Sequence, residues 1–217
     1  LSSYYRFLAR HVPTLPYQPL ISVVVPVHNT SLDYLEEMLA SVKLQTYPKW
    51  QLCLCDDAST KTGVWEALTA FERGNQDRVR LTRLATNSGI AVASNAAIKI
   101  SDGDYVALLD HDDRLYPNAL AEMVRAMNLE MSSGSDLPAI LYSDERVIGE
   151  NGELLNDPFF KPDWSPLLHL SVNYTTHLTL YSRSLLVEVG GFREGFDGSQ
   201  DHDLMLRASE RTSAIVH

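Results

Sequence analysis

Short apolar runs alternate with segments of helical periodicity through the first 130 residues of the chain. The runs are rich in β-branched residues and end in polar clusters, which predicts buried strands, whereas apolar residues spaced three and four apart predict amphipathic helices. The predicted strands cover residues 21–25, 50–55, 79–84 and 105–109, and the helices lie within residues 32–42, 65–71, 90–100 and 117–127. Four successive strand–helix units predict an α/β fold, Rossmann-like, with a mainly parallel sheet and helices on both faces.

Two details of the first unit carry structural expectations. Pro26 follows the run of residues 21–25 directly, so we expect it to end the first strand. Ser31 and Asp33 are both candidates for the N-cap of the first helix, because each has a side-chain oxygen that can accept a backbone N–H.

The regular alternation stops after residue 132. Residues 150–170 are rich in glycine, proline and aromatic residues and have no period. A loop of that length is usually functional or disordered, and its aromatic content favours a functional loop. Further elements are expected as strands over 139–142 and 175–181, helices starting near 185 and 203, and a strand beginning at 213.

Composition narrows the class of protein. The 217 residues are 45% apolar and 21% charged, which is typical of a globular domain. The 18 Lys and Arg against 28 Asp and Glu give a net charge of −10, so nucleic acid is not expected as a partner. No apolar run approaches the ~20 residues of a membrane span. Cys53 and Cys55 are neighbours on one predicted strand and form no disulfide framework, which favours a reducing compartment.

The chain begins at Leu1 and shows no signal-peptide pattern. We therefore expect it to be a piece of a longer protein, truncated at its C-terminal side. We expect residues 1–19 to form a lead-in with the tail of a helix, and residues 20–217 to form one domain.

Polar clusters follow all four predicted parallel strands. They are His28-Asn29, Asp56-Asp57, Thr86-Asn87 and Asp110–Asp113. Right-handed crossovers place the carboxyl ends of parallel strands at one edge of the sheet. The sequence therefore predicts that these clusters converge on one site.

The Asp110-His111-Asp112-Asp113 cluster supplies the oxygen ligands that Mg²⁺ and Mn²⁺ prefer. One carboxylate could bind a cation while another holds a ribose hydroxyl or a metal-bound water. The alternative is an Asx-rich turn that caps the helix after Pro117.

The remaining candidates each have a functional and a structural interpretation. Asp56-Asp57 could accept hydrogen bonds from a base or a ribose, or could cap a helix at residues 58–59. Asn87-Ser-Gly89 could present free N–H groups to an anion or form a plain turn. Asp201 and Asp203 point in different directions on a helix, so one could be a general base while the other caps.

The aromatic loop is also open to two interpretations. Residues 158–164, which include Phe159 and Trp164, could stack on a sugar or a base, or could pack the loop onto the core. His169 and His177 are interpreted as structural residues.

Taken in order, five motifs resemble those of family 2 glycosyltransferases, which are inverting, metal-dependent enzymes of the GT-A fold. They are Val25-Pro-Val-His-Asn29, Cys55-Asp-Asp-Ala-Ser59, Asn87-Ser-Gly89 with Asn95, Leu109-Asp-His-Asp-Asp113, and Gly191-Phe192 with Gln200-Asp-His-Asp-Leu204. The stretch from Phe159 to Ser165, with His177-Leu-Thr, resembles the subset that builds bacterial O-antigen and other surface polysaccharides, rhamnosyltransferases among them.

The resemblance implies a role for each matching residue. It implies a donor site formed by Pro26, His28, Asp56, Asp57, Asn87 and Asp110. Asp110 and Asp112 would bind Mn²⁺ or Mg²⁺, and Asp201 would be the catalytic base. The family more often has Glu where this chain has Gln200, and we do not expect His217 to be the family's later metal-binding histidine. A smaller acceptor-side sheet with loops is also implied.

The implied function is transfer of a sugar from a UDP- or dTDP-sugar donor to a saccharide acceptor hydroxyl, with inversion, in bacterial surface polysaccharide synthesis. The acceptor could be lipid-linked, which would place the protein in the cytoplasm at the inner face of the membrane, with peripheral association through the rest of the protein.

The alternative is a non-catalytic nucleotide-sugar or carbohydrate-binding module of a larger synthase. A Rossmann oxidoreductase or methyltransferase is disfavoured because the first strand is not followed by a glycine-rich loop. A cation-binding structural domain is a further alternative.

Overall fold

The computed structural model describes residues 14–149, 152–155 and 157–217. The strands are β1 (Ile21–Val27), β2 (Trp50–Asp56), β3 (Val79–Arg83), β4 (Tyr105–Leu108), β5 (Ile140–Tyr142), β6 (Thr179–Ser182) and β7 (Ile215–Val216). The helices are α1 (Leu32–Lys43), α2 (Val64–Arg73), α3 (Ile90–Lys99), α4 (Ala119–Ser133), α5 (Pro166–His169), α6 (Arg183–Glu188) and α7 (Gln200–Ser209). All four predicted strand–helix units are confirmed.

One sheet connects the described strands, in the order β3-β2-β1-β4-β6-β5-β7. The pairs β1–β2, β1–β4 and β2–β3 are parallel, whereas β6 runs antiparallel to both β4 and β5. Because the parallel strands point the same way, their carboxyl ends meet at one edge, as the sequence predicts.

Alternate residues of the central strands face two separate hydrophobic cores, since side chains on a strand point in turn to opposite faces. Val23 and Val25 enter the core formed with α1, α2 and α4. Val24, Cys53 and Cys55 enter the core formed with α3, α6 and α7. The prediction of helices on both faces is thus confirmed. Both cysteines are free and buried, and burial raises the pKa of each thiol to about 12.

The expectation that Pro26 ends β1 is wrong, because the strand continues to Val27. The carbonyl of Val24 accepts the N–H of Leu109, so Val24 faces β4, and Pro26 faces the same side two residues later. β4 has already ended at Leu108. No N–H is needed there, so proline is tolerated. For the first helix, Ser31 rather than Asp33 is the cap, since its hydroxyl accepts the N–H of Tyr34 at 3.2 Å.

The later part of the chain differs most from the expectation. The strand predicted over 175–181 begins only at Thr179, and the helix predicted from 203 begins at Gln200. In the described part of this region, the smaller sheet amounts to two isolated antiparallel bridges, Glu145–Phe159 and Ile148–Leu154. The expectation of a lead-in with a helix tail over residues 1–19 falls mostly on residues 1–13, which lie outside the described residues.

Among the described helices, none combines the length and apolar character that crossing a membrane requires.

Candidate functional site

Three of the predicted strand-end clusters meet around His28. Its Nδ1 lies 2.7 Å from the backbone carbonyl of Asp57, which can only accept, so Nδ1 carries the proton. The other ring nitrogen, Nε2, accepts from the side-chain amides of Asn29 at 3.0 Å and Asn87 at 3.1 Å. The ends of β1, β2 and β3 are therefore tied together at one point.

Asp57 is buried and holds the entry to α3. Its Oδ1 accepts the N–H of Ser88 at 2.7 Å, and its Oδ2 accepts the N–H of Gly89 at 2.9 Å. The carboxylate thus satisfies free N–H groups ahead of a helix, as a capping residue does, but it reaches that helix from another strand. The structural alternative for Asp56-Asp57 placed a cap at residues 58–59; Asp56 makes such a contact, with the N–H of Ser59, whereas Asp57 contacts residues 88–89.

Asp56 is fully buried and turned into the fold. Its Oδ2 pairs with Arg83 Nε at 2.9 Å, and its Oδ1 accepts the N–H of Ser59 at 3.2 Å. The guanidinium of Arg83 stacks over the Trp65 ring, 4.8 Å from its centroid. Asp56 therefore lies behind Asp57, where its direct partner is a side chain of this protein.

A second cluster forms at the end of β4. His177 Nε2 lies 3.3 Å from Asp110 Oδ2 and 3.4 Å from Asp113 Oδ2. All three ligand atoms lie within 4.8 Å of one another, which is the spacing needed to hold one cation. His177 was interpreted as a structural residue from the sequence, but the structure places it against the acidic cluster.

The pKa values of His177, Asp110 and Asp113 are shifted because the three side chains are partly buried close to one another. Burial alone would lower the pKa of His177, but its hydrogen bond with Asp110 and the nearby carboxylates raise it to about 9. Burial would raise the pKa of Asp110, yet the hydrogen bond and charge of His177 more than offset burial and lower it. For Asp113, burial dominates and raises the pKa. The imidazolium thus occupies a position that suits a cation.

Asp112 lies outside this cluster. Its side chain is 56% exposed, and its Oδ1 lies 3.8 Å from His111 Nδ1. The turn therefore directs Asp110 and Asp113 towards His177 and Asp112 towards solvent. The assignment of Asp112 as a metal ligand stays a prediction.

Asp201 and Asp203 have different surroundings at the start of α7. Asp201 Oδ2 accepts from the Asn173 amide at 2.8 Å, and Oδ1 accepts the N–H of His202 at 2.9 Å. Asp203 is buried and pairs with Arg193 and with Arg207, the latter at 2.9 Å. Burial would raise the pKa of Asp203, but the hydrogen bonds from the two arginines lower it. Asp203 is a structural anion, and Asp201 faces a cavity.

Two cavities open beside the acidic cluster and share His177. A small cavity of about 40 Å³ is lined by Pro26, Asp110, His177 and Asp201, among others. A larger cavity of about 410 Å³ lies on the other side of His177 and is lined by residues of α1, the 112–116 turn and the 143–149 loop. The resemblance assigned Asp110 to the donor site and Asp201 as the catalytic base, and the two residues line the same small cavity.

The remaining candidates are placed as follows. Trp164 packs against the second core and contacts the rings of His169 and Tyr174, at centroid distances of 5.1 and 6.3 Å. Phe159 is 49% exposed, so it does not pack the loop onto the core as Trp164 does. His217 Nε2 lies 2.9 Å from Asp144 Oδ1 and is not one of the three clustered residues.

Sequence reasoning missed three contributors, His177, Asn173 and Lys161. The fold brings them together through β6, which pairs antiparallel with β4 in the register Leu108↔Thr179. That register carries His177 next to Asp110. The motifs of the chain give no sign of this pairing, although Thr175, Thr176 and His177 mark the segment as polar.

Comparison with known proteins bears on this geometry. The sequence model of glycosyl transferase family 2 matches residues 22–190. The O-antigen biosynthesis protein RfbC of Myxococcus xanthus is 44% identical over 207 residues, which are 95% of this chain and 16% of that protein. The chain spans 16–22% of the length of curated relatives at this level of identity.

Two solved structures share the fold. TarS of S. aureus in complex with UDP has a TM-score of 0.71 at 23% identity, covering 91% of this chain and 57% of that one. The mannosyltransferase PcManGT of Pyrobaculum calidifontis, in complex with GDP-Man and Mn²⁺, has a TM-score of 0.69 at 20% identity, covering 98% and 60%. They confirm the expected GT-A architecture. With the family model spanning most of the sequence, the chain belongs to glycosyl transferase family 2.

Proposed function

We propose that this chain transfers a sugar from a nucleotide-diphosphate donor to a saccharide hydroxyl, with inversion, in bacterial surface polysaccharide synthesis. One observation carries the proposal: Asp110, His177 and Asp201 line the same small cavity. An inverting transfer needs a leaving-group site and a general base on opposite sides of one sugar. Asp110 and His177 of the acidic cluster and Asp201 all line this cavity, so the two groups that such a transfer needs lie near one another.

The donor is proposed to be a UDP- or dTDP-sugar. Its nucleotide would lie along the strand ends beside Pro26, His28 and Asn87. Asp57 would contribute directly or through the 88–89 turn that it holds. The structures of TarS with UDP and with UDP-GlcNAc, and of PcManGT with GDP-Man, support a nucleotide-sugar ligand for this fold.

The acidic cluster fits a divalent cation. Two carboxylate oxygens and one imidazole nitrogen form a donor set that suits Mn²⁺. In the structure, the imidazolium of His177 pairs with both carboxylates. Asp110, Asp113 and His177 would hold the ion, and the exposed Asp112 is the alternative second ligand. A cation bound there supplies positive charge that stabilises the departing diphosphate.

Asp201 is the proposed general base. Its two oxygens are oriented by the Asn173 amide and by the backbone N–H of His202, and each keeps a lone pair for an incoming hydroxyl. As the acceptor hydroxyl attacks the anomeric carbon, its proton passes to Asp201. A positioned base of this kind contributes roughly 10²–10⁴-fold to the rate. The acceptor is proposed to be a saccharide, free or lipid-linked, met in the cytoplasm at the inner face of the membrane.

Calorimetric titration of UDP and dTDP, with and without Mn²⁺, tests the proposal. Asp110→Asn should weaken Mn²⁺-dependent binding, whichever second ligand is correct. Asp112→Asn and Asp113→Asn form a matched pair: loss only with Asp113→Asn supports the clustered ligand set, and loss only with Asp112→Asn supports the set implied by the sequence. Nucleotide binding without any sugar transfer would instead favour the non-catalytic module.

A further inference from the structure

A buried ion pair between Lys161 and Glu145 lies beside the donor, metal and base residues of the proposed site and is not one of them. The Lys161 side chain is 0% exposed, and its Nζ lies 3.0 Å from Glu145 Oε2. Its backbone N–H also donates to Asp144 Oδ1 at 2.8 Å, which anchors the aromatic loop to the end of β5. Lysine is among the residues that are almost never fully buried unless paired, so this position calls for a specific reason.

The Lys161–Glu145 pair forms hydrogen bonds with three consecutive residues of the segment before β6. Lys161 Nζ donates to the carbonyls of Thr175 at 3.2 Å and His177 at 2.7 Å. Glu145 Oε2 accepts from the Thr176 hydroxyl at 2.6 Å and from the His177 N–H at 3.3 Å. Both backbone polar groups of His177 are therefore held by the same ion pair.

The chemistry of Lys161 suits this task. An ammonium group has three donors, and here they meet one carboxylate and two carbonyls, so no charge or donor is left unsatisfied. Burial lowers the pKa of Lys161 and Glu145 works against that change. A hydrophobic side chain of the same length would fill the space but would leave both carbonyls free to move.

We propose that Lys161 is a positioning residue that fixes His177 against Asp110 and Asp113, and so sets the affinity of the site for a divalent cation. This inference rests on the proposed function only for the role of the cation. The positioning itself is a property of the backbone contacts.

The test uses Lys161→Met, with the exposed Lys99→Met on α3 as matched control. The first readout is Mn²⁺ affinity, measured by calorimetry. Lys161→Met should weaken it by about 10–100-fold, the range found for groups that orient metal ligands. Binding of UDP without metal should stay unchanged. The second readout is amide hydrogen exchange, which should speed up at residues 176–178 by about tenfold or more and stay unchanged in β1.

A double variant, Lys161→Met with Glu145→Met, separates positioning from stability. Replacing a buried ion pair by apolar side chains often restores stability. If Lys161 positions His177, the double variant regains its melting temperature while Mn²⁺ affinity stays low. Recovery of Mn²⁺ affinity together with stability would overturn the proposal, as would unchanged exchange at residues 176–178 in the single variant. If the wild-type chain bound neither Mn²⁺ nor nucleotide, the proposed function would fail, and the exchange data would still decide the positioning role.

Discussion

Replacing Asp57 by asparagine asks whether this carboxylate contacts the donor or holds the turn that does. Asp57 is 3% exposed, and each of its oxygens already accepts a backbone N–H, from Ser88 and from Gly89. Asparagine has the same shape, but it keeps only one acceptor oxygen. Its NH₂ group would face one of the two N–H donors.

The magnitude follows from those two bonds. A hydrogen bond to a charged group contributes about 1.5–3 kcal/mol, and a buried donor left unsatisfied costs about 1–3 kcal/mol. We therefore expect Asp57→Asn to lower the free energy of unfolding by about 3 kcal/mol. For a chain of this size that corresponds to a fall of roughly 6–12 °C in melting temperature.

The assay combines calorimetric melting with titration of UDP. The exposed Asp33→Asn in the first turn of α1 is the matched control and should change stability by less than about 0.5 kcal/mol. If Asp57 acts through the turn, UDP at saturating concentration should restore part of the lost stability. A melting temperature equal to wild type, together with loss of UDP binding, would refute the structural argument and make Asp57 a direct ligand of the nucleotide.

Three further predictions concern the other parts of the site. Asp201→Asn should lower kcat by roughly 10²–10⁴-fold with little change in melting temperature. Asp203→Asn weakens a buried carboxylate that is paired with two arginines, so it should lower the free energy of unfolding by about 2–3 kcal/mol. A similar loss of stability in both variants would contradict the distinction. His177, whose pKa is raised to about 9 from an ordinary value of 6.5, stabilises the metal-free fold fully below pH 6.5 and loses that contribution as the pH rises towards 9. Because its side chain is 35% exposed, solvent screening reduces this contribution to about 1–2 kcal/mol. Urea unfolding in the presence of a chelator should show a free energy of unfolding that is lower at pH 9.5 than at pH 6 by this amount in wild type, and no such difference in His177→Gln. Gly191→Ala should destabilise the fold, since φ is +68° and a Cβ would lie 2.5 Å from Asn95 Oδ1; thermal melting checks this, and an unchanged melting temperature would contradict it.

The parallel half of the fold could be predicted because its signals are local. Each central strand is a short apolar run, and each polar cluster follows its strand directly, so the right-handed crossover rule was enough to bring His28, Asp57 and Asn87 to one edge. The detailed partners could not be predicted in the same way. Asp56 lies opposite Arg83 in the β2–β3 register, and a register is set by packing across strands rather than by either strand alone.

The antiparallel part of the sheet, where β6 pairs with β4 and β5, explains why the role of His177 was not predicted. His177 reaches Asp110 only because β6 enters the sheet beside β4, a pairing between segments far apart in sequence. The strand predicted over 175–181 begins only at Thr179, because Lys161 and Glu145 hold residues 175–177 in place of a sheet partner. The His177-Leu-Thr motif carries part of the family resemblance, but nothing in the local sequence indicates that this histidine lies against Asp110.

The segment of residues 173–177 links the two sides of the proposed reaction. At one end, the Asn173 amide binds Asp201, the proposed base, and at the other end His177 faces Asp110 in the acidic cluster. The base comes from α7 and the acidic cluster from the end of β4, so neither element alone fixes the distance between them. The short chain between Asn173 and His177, held by Lys161, contacts both the base and the acidic cluster. A change within this segment should therefore alter cation affinity and base orientation together, whereas a change in α7 or at the end of β4 should alter only one of them.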